Sequence, residues 1–367
     1  GADAVLRAER ETYAAVGEIG RVAAAEGVDC GFTHSGSVNV ATSRPQLARL
    51  QASVKAKRAR GIGEDDLRLL DLDELAARVR VTGALGATFT PHCARVDPAR
   101  LARGLAAAAE RHGVAIYERT KATAIEPGRV VCAAGTVRAR HVLRATEAYT
   151  TRLDGEKRRF LPLYSLMIAT EPLTAAVWDE LGWGGRETVS DQRHLFFYAQ
   201  RTVDDRIAIG GRGAPYRLGA PIDEAYERRE EVRERLATTI RRHFPAARDA
   251  AITHHWGGPL GVPRDWCTSV QYDPATGFGW GGGYAGHGVV AANVAGRTLA
   301  DLVLDRPTDR VSLPWVGHRS RLWEPEPLRF IASRAIVKIL GSADRYEDAN
   351  GTRARRVKLV EPFILGR

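Results

Sequence analysis

The chain has 367 residues, 44% of them hydrophobic and 27% charged, which allows two domains with a sizeable buried core. No apolar run approaches the ~20 residues that span a bilayer, and no signal peptide is visible; the four widely spaced cysteines fit reduced thiols, so a cytoplasmic protein is expected. The net charge of +10 comes from arginines scattered along the chain, only six of the 54 cations being lysines; without a basic stripe interleaved with aromatics, it does not point to nucleic acid.

The predicted elements run as follows. Residues 2 to 26 read as an amphipathic helix, with Leu6, Tyr13, Val16, Ile19 and Val22 at helical spacing and Gly27 as its stop. "GSVNVAT" from Gly36 and "ALGATFT" from Ala84 read as strands, with helical patterns between them at 45–57 and 71–79. Asp97 followed by Pro98 is a cap and a first helical residue. That helix carries Leu101 and Leu105 on its apolar stripe and ends at Gly113. "VAIYERT" (114–120) then reads as a strand, followed by a hairpin near Gly135 and a strand from His141 to Thr146. Helix, strand, hairpin and strand together predict a doubly wound α/β domain.

From residue 158 the pattern changes. "LPLYSLMIATEPL", "HLFFYAQRT" and "RIAIGGRG" are strand-like runs separated by turn residues. A helix is expected from about Asp223 to Phe244, with Val232, Leu236, Ile240 and Phe244 as its stripe. This predicts an α+β second domain on a mixed sheet, reached again through "AAITHHWGG". Cys30, Cys93, Cys132 and Cys267 are too widely spaced for a zinc motif or a disulfide framework, so no metal is expected.

The stretch "GFGWGGGYAGHGVVAANVAGRTLADLVLDR" (277–306) carries Gly281, Gly283 and Gly286 in the pattern G-x-G-x-x-G. A true dinucleotide fingerprint opens a βαβ unit and has an acidic residue about 20 positions on, at the end of the next strand. Asp301 lies at that distance but inside the helix, and a loop follows. An NAD-dependent dehydrogenase is therefore disfavoured. What remains is a strand feeding glycines that admit close backbone approach, then a helix starting near Gly288 with free N–H groups aimed at a ligand.

"WGGGYAGHGVVAANVAGRTLADLV" resembles the last strand–loop–helix of the D-amino-acid oxidase superfamily of FAD-dependent oxidoreductases. In family order, "CARVDPARLARGLAAAAERHGVAIYERTKATAIEP", "GTVRARHVLRATEAYT", "RIAIGGRG" and "HHWGGPLGVPRDW" resemble further blocks, and the nearest subgroup resembles gamma-glutamylputrescine oxidase-like amine oxidoreductases. The resemblance implies FAD as cofactor and an incomplete doubly wound FAD-binding domain (91–157 and 257–310). It further implies an α+β substrate domain (1–90 and 158–256) and a C-terminal extension (311–367). The family's own fingerprint unit belongs upstream of Gly1, so a truncated flavoprotein is expected. Arg144 stands where the family prefers an apolar residue, and Glu147 where Asn is common.

The same resemblance places Gly283 in the flavin-covering turn and the backbone of Gly286, His287, Gly288 and Val289 at the flavin O2 edge. It places Ala122 at the adenine and Ala145 and Thr146 at a strand's carboxyl end beside the cofactor. His287 is the candidate catalytic side chain. Substrate candidates are Tyr164, Tyr198, His255, Trp256 and Leu260; alternation puts Phe196, Tyr198 and Gln200 on one sheet face without saying which face lines the site. Leu260 falls where amino-acid oxidases of the superfamily carry a carboxylate-binding Arg, although Arg193, Arg201 or Arg264 could substitute. The expected partners are a small amine, oxidised at a C–N bond by hydride transfer to flavin N5, and oxygen or another electron acceptor. The competing reading is a non-catalytic remnant that keeps the substrate domain as a binding module.

Overall fold

The computed structural model of the protein describes residues 1–211, 213, 216–219 and 221–364. In chain order the elements are α1 (Ala2–Ala25), β1 (Ser37–Ala41), α2 (Arg44–Arg58), β2 (Arg68–Leu70), α3 (Leu72–Ala76), β3 (Gly86–Thr90), α4 (Pro98–Arg111) and β4 (Ala122–Glu126). Next come β5 (Arg129–Cys132), β6 (Gly135–Arg138), β7 (Val142–Arg144), β8 (Leu161–Thr170), α5 (Ala175–Leu181), β9 (Thr188–Asp191), β10 (Phe197–Arg201) and β11 (Ile207–Gly211). The chain closes with α6 (Glu230–His243), β12 (Ile252–Val262), β13 (Ser269–Asp273), β14 (Phe278–Gly282), α7 (Gly288–Val303), α8 (Leu328–Asn350) and α9 (Glu361–Ile364).

An eight-stranded mixed sheet in the order β12-β8-β11-β10-β9-β1-β3-β2 is the centre of the molecule. Its pairs are antiparallel except β1 with β9. Alternation decides what each face does. Leu166 and Ile168 of β8, Phe197 of β10 and Ile207 and Ile209 of β11 point to one face, where they pack with Leu236 and Ile240 of α6 and with Phe244 just after it. Trp183 stacks on Phe244, ring centroids 5.4 Å apart, at the same core. The intervening residues Met167, Ala169, Tyr198, Gln200 and Ala208 line a cavity on the opposite face.

A smaller sheet, β13-β14-β7, pairs β14 with β7 in parallel and carries α7. A separate meander, β4-β5-β6, follows α4. The mixed α/β architecture agrees with the expected fold class. α1, in the range assigned from sequence to the substrate domain, lies against α7 and α4.

Local signals account for several elements. Asp97 caps α4 by accepting the N–H groups of Ala99 at 2.9 Å and Arg100 at 3.0 Å. Leu101 is buried as expected, but Leu105 points outward, 40% exposed. The stripe Val232, Leu236, Ile240 and Phe244 is fully inside. The helix expected from Asp223 starts later, at Glu230, because Asp223 instead closes a separate 3₁₀ turn by accepting the Ala225 N–H at 2.9 Å. The strand expected at 114–120 does not form: these residues are exposed and have no ladder partner among the described residues. β11 ends at Gly211, and Arg212 of the "RIAIGGRG" run lies outside the described residues.

Candidate active site

The turn between β14 and α7 is held from below by a buried carboxylate. Glu147, itself at a positive φ of 41°, accepts the Tyr284 N–H at 2.8 Å. Gly261 of β12 leaves room for it, since a Cβ there would stand 1.9 Å from Glu147 Oε2. Burial pushes the Glu147 carboxyl up to about 6, against the backbone N–H groups of Tyr284, Gly283 and Gly261. The other family departure, Arg144, is buried too; its guanidinium meets Glu156 at 2.9 Å and lies over the Phe278 and Trp280 rings.

Above this support the backbone opens. Gly283 and Gly286 have φ of 81° and 104°, which only glycine adopts without strain. Gly286, His287, Gly288 and Val289 line a cavity of about 1370 Å³, together with α1, the segment after β3, and the face of the large sheet opposite α6. A Cβ at Gly288 would meet nothing within 4 Å. His287 occupies the N-cap position of α7 and makes no side-chain cap there, so the first N–H groups of the helix are left for a ligand. A backbone cradle at a helix N-terminus, with open space before it, fits the electron-rich carbonyl edge of a flavin ring.

Register distributes the other sequence candidates. Tyr198 lines the cavity, its ring lying over Gly210 of β11, where a Cβ would be 2.5 Å away, and its hydroxyl meeting Ser165. Trp256 and Leu260 of β12 also line it. Tyr164 is on the α6 side of β8, where its hydroxyl receives the Asp223 N–H at 2.9 Å and donates to the Asp223 carbonyl. His255 pairs with Ile168 on that same side, and its Nε2 accepts the Arg229 N–H at 3.4 Å. Ala122, Ala145, Thr146 and Gly283 lie outside the cavity lining; Thr146 Oγ1 bonds Thr150 Oγ1 at 2.8 Å, and the Gly283 backbone packs beside Pro263 and Phe160. Asp301, the apparent fingerprint acid, is buried against Arg310 at 2.6 Å and Thr308 at 2.7 Å.

Three cavity residues escaped the sequence reading. Tyr13 of α1 stacks on His92, ring centroids 3.9 Å apart, and His92 Nε2 lies 2.8 Å from Asp66 Oδ1. The Arg10 guanidinium, then His92, hold Asp66 down at about 2. Arg95 is buried beside them on the strap after β3. In sequence Tyr13 reads only as part of the α1 stripe, and Arg95 lies within the block quoted from Cys93 without being singled out; the folding of the chain brings them together. Away from the cavity, Asp265, Cys267 and His318 have their polar atoms within 4.8 Å of one another, with His318 Nε2 2.7 Å from Asp265 Oδ2. All four cysteines are free.

A family model described as FAD dependent oxidoreductase matches residues 3–302. The probable oxidoreductase OrdL of Rhizobium meliloti is 33% identical over 258 residues, covering 67% of this chain and 56% of that protein. Gamma-glutamylputrescine oxidoreductase of Escherichia coli is 28% identical over 282 residues, covering 75% of this chain and 63% of that one. The chain thus spans 56% to 63% of the length of these relatives. Among solved structures, glycine oxidase from Geobacillus kaustophilus superposes with a TM-score of 0.71 at 20% identity, over 84% of this chain and 82% of that one. L-proline dehydrogenase from P. horikoshii gives 0.67 at 17%, over 83% and 80%. These two likenesses speak for the fold.

Proposed function

The chain belongs to the family of FAD-dependent oxidoreductases, whose cofactor is FAD, and from that premise we propose that it oxidises a C–N bond of a small amine. Bound FAD supplies the hydride acceptor, so the protein's task is to hold the amine's α-carbon against the ring, keep water out and set the local field. The observation that carries the reading is the glycine turn at the uncapped start of α7, forming one wall of a cavity whose other wall is the large sheet.

In this reading the backbone of Gly286, His287, Gly288 and Val289 holds the pyrimidine edge of the ring. The α7 N-terminus favours negative charge there, which is the charge that grows during the reaction. His287 shares that wall as the candidate tuning side chain. Tyr198, Trp256 and Leu260 shape the substrate side, with Met167 and Gln200 beside them. Ala122, Ala145, Thr146 and Gly283 would serve the cofactor from outside the cavity lining, and Tyr164 and His255 would act only through the strands that carry them. Leu260 offers no bond to a carboxylate next to the reacting carbon. This supports an amine of the polyamine type, as the name of the Escherichia coli relative suggests.

The test is optical. Purified chain mixed with FAD should show a structured flavin band near ~450 nm, and anaerobic addition of diamines should bleach it. Gly286→Val, which puts a branched side chain at a φ of 104°, should weaken FAD binding by tenfold or more, about 1.4 kcal/mol. A chain that binds FAD but is bleached by no amine would leave the binding-module reading; one that binds no FAD would remove both the cradle and the chemistry.

A further inference from the structure

Arg95 is a cation in the cavity without an acid. It is 5% exposed, lines the cavity, and its Nε has no hydrogen-bond partner among the described residues. Among the described residues its one side-chain hydrogen bond is Nη2 to Thr33 Oγ1 at 2.7 Å, and no carboxylate there forms an ion pair with it. The acids nearby are committed. Asp205 is held by Arg186 at 2.7 Å and Arg201 at 2.8 Å, so the neighbourhood holds more guanidinium than carboxylate. Asp97 and Asp204, the two acids of the cavity wall, are engaged at the α4 cap and with Arg206 at 2.5 Å.

A buried guanidinium with an unmet N–H is costly unless something compensates it. Its placement is fixed by backbone as well as side chain. Thr33 and Arg95 exchange N–H to carbonyl bonds at 2.9 and 2.8 Å, and Gly31, at a φ of 61°, lets Val203 close over the same spot. Swinging the Arg95 side chain out to solvent would break its Thr33 Oγ1 bond and leave the space beside Val203. It stands on a wall built by the segments around Thr33 and Val203, distinct from the wall of Leu260 and the glycine turn.

We propose that Arg95 is an anion subsite of this cavity, and that it takes a carboxylate carried by the amine substrate away from its reacting carbon. The assignment rests on the amine-oxidation reading and narrows it: the substrate is an aminocarboxylate whose carboxylate and reacting C–N bond lie at separate ends. A planar fork of N–H donors suits a carboxylate, whereas Leu260 leaves the region beside the turn without such a donor. A diphosphate offers similar oxygens, so the cofactor's own diphosphate is the alternative source of the anion.

Calorimetric titration of the flavin-free chain decides between them with three probes: aminohexanoate, its uncharged analogue aminohexanamide, and pyrophosphate. Aminohexanoate should bind at least about tenfold tighter than the amide, the scale of one charge-assisted hydrogen bond. Arg95→Gln should erase that preference, and Arg95→Lys should keep part of it. Equal affinity for acid and amide, or a preference that survives in Arg95→Gln, overturns the proposal. So does pyrophosphate binding that depends on Arg95 and competes with FAD while acid and amide remain indistinguishable. If Arg95→Gln does not fold, the wild-type contrast decides, read together with hydrogen-exchange protection of residues 31–35 and 93–97 on adding aminohexanoate. None of these readouts needs bound flavin, so the subsite can stand while amine oxidation fails, or fail while it stands.

Discussion

Glu147 shows how a single side chain couples the two walls of the site. It reaches from the loop after β7, fills the space left by Gly261 on β12, and holds the Tyr284 N–H of the glycine turn. Its carboxyl ionises at about 6 rather than the usual 4.5 because burial opposes the charge. The folded state therefore binds this proton more tightly than the unfolded chain does. The associated stability is complete below pH 4.5 and is lost as pH rises through 6, and it amounts to about 2 kcal/mol. Glu147→Gln keeps an acceptor for Tyr284 and cannot ionise. Urea unfolding should show the variant gaining about 2 kcal/mol on the wild type between pH 4.5 and 7.5. A difference that stays flat across this window would show that the carboxylate is not penalised there. Arg95 makes the complementary point: its neighbours leave a charge unmet, and a ligand completes it.

At the scale of elements, α8 is pinned to the β9–β10 loop and to α2 by polar contacts at its C-terminal half. Asp344 accepts the N–H groups of His194 and Leu195 at 2.9 and 3.0 Å, and Glu347 accepts Arg49 Nη1 at 2.8 Å and the Ala354 N–H at 3.1 Å. Burial works against the Glu347 charge, but His194, Arg49 and the Ala354 N–H hold its carboxyl down at about 2. Here the sign is opposite to that of Glu147: the stability is present above 4.5 and is lost as pH falls towards 2. Glu347→Gln should cost about 2–3 kcal/mol at pH 7 and speed hydrogen exchange along α8 before the large sheet loosens. Uniform exchange across both would mean that α8 is not a separable unit. Apart from the local Glu347–Ala354 bond, none of this docking was legible in the sequence, because the contacts to His194, Leu195 and Arg49 join segments more than 100 residues apart. What was legible is local: the Asp97–Pro98 start of α4, the four-residue stripe of α6, and the glycine turn into α7. The strand expected at 114–120 had the right composition, but a strand needs a neighbour and none is described beside it. Tyr164 and Tyr198 read alike in sequence; only the registers of β8, β10 and β11 send one to α6 and the other to the cavity. Arg95 was hidden by composition, one arginine among many, distinguished from the equally buried Arg144 and Arg329 by having no carboxylate partner among the described residues.

For the whole molecule, the distribution of apolar surface matters as much as the core. α6 covers one face of the large sheet and the cavity occupies the other, yet Val114, Ile116, Tyr117, Val137 and Leu143 stay between 41% and 75% exposed within one 30-residue stretch of chain. Leu143 sits on β7, which pairs only with β14 among the described residues and so leaves an open strand edge. Exposed edges and apolar side chains together favour self-association. The net charge of +10 opposes it, but only over the Debye length, about 10 Å at 0.1 M salt and about 3 Å at 1 M. Sedimentation velocity should therefore show association that grows with protein concentration and with salt, the reverse of an ionic contact. Replacing Tyr117 with Ser and Leu143 with Lys should suppress it while changing stability by no more than about 0.5 kcal/mol for each exposed site. Association that weakens as salt rises, or that persists in the double variant, would place the attraction in charge pairing or on another surface instead of this edge.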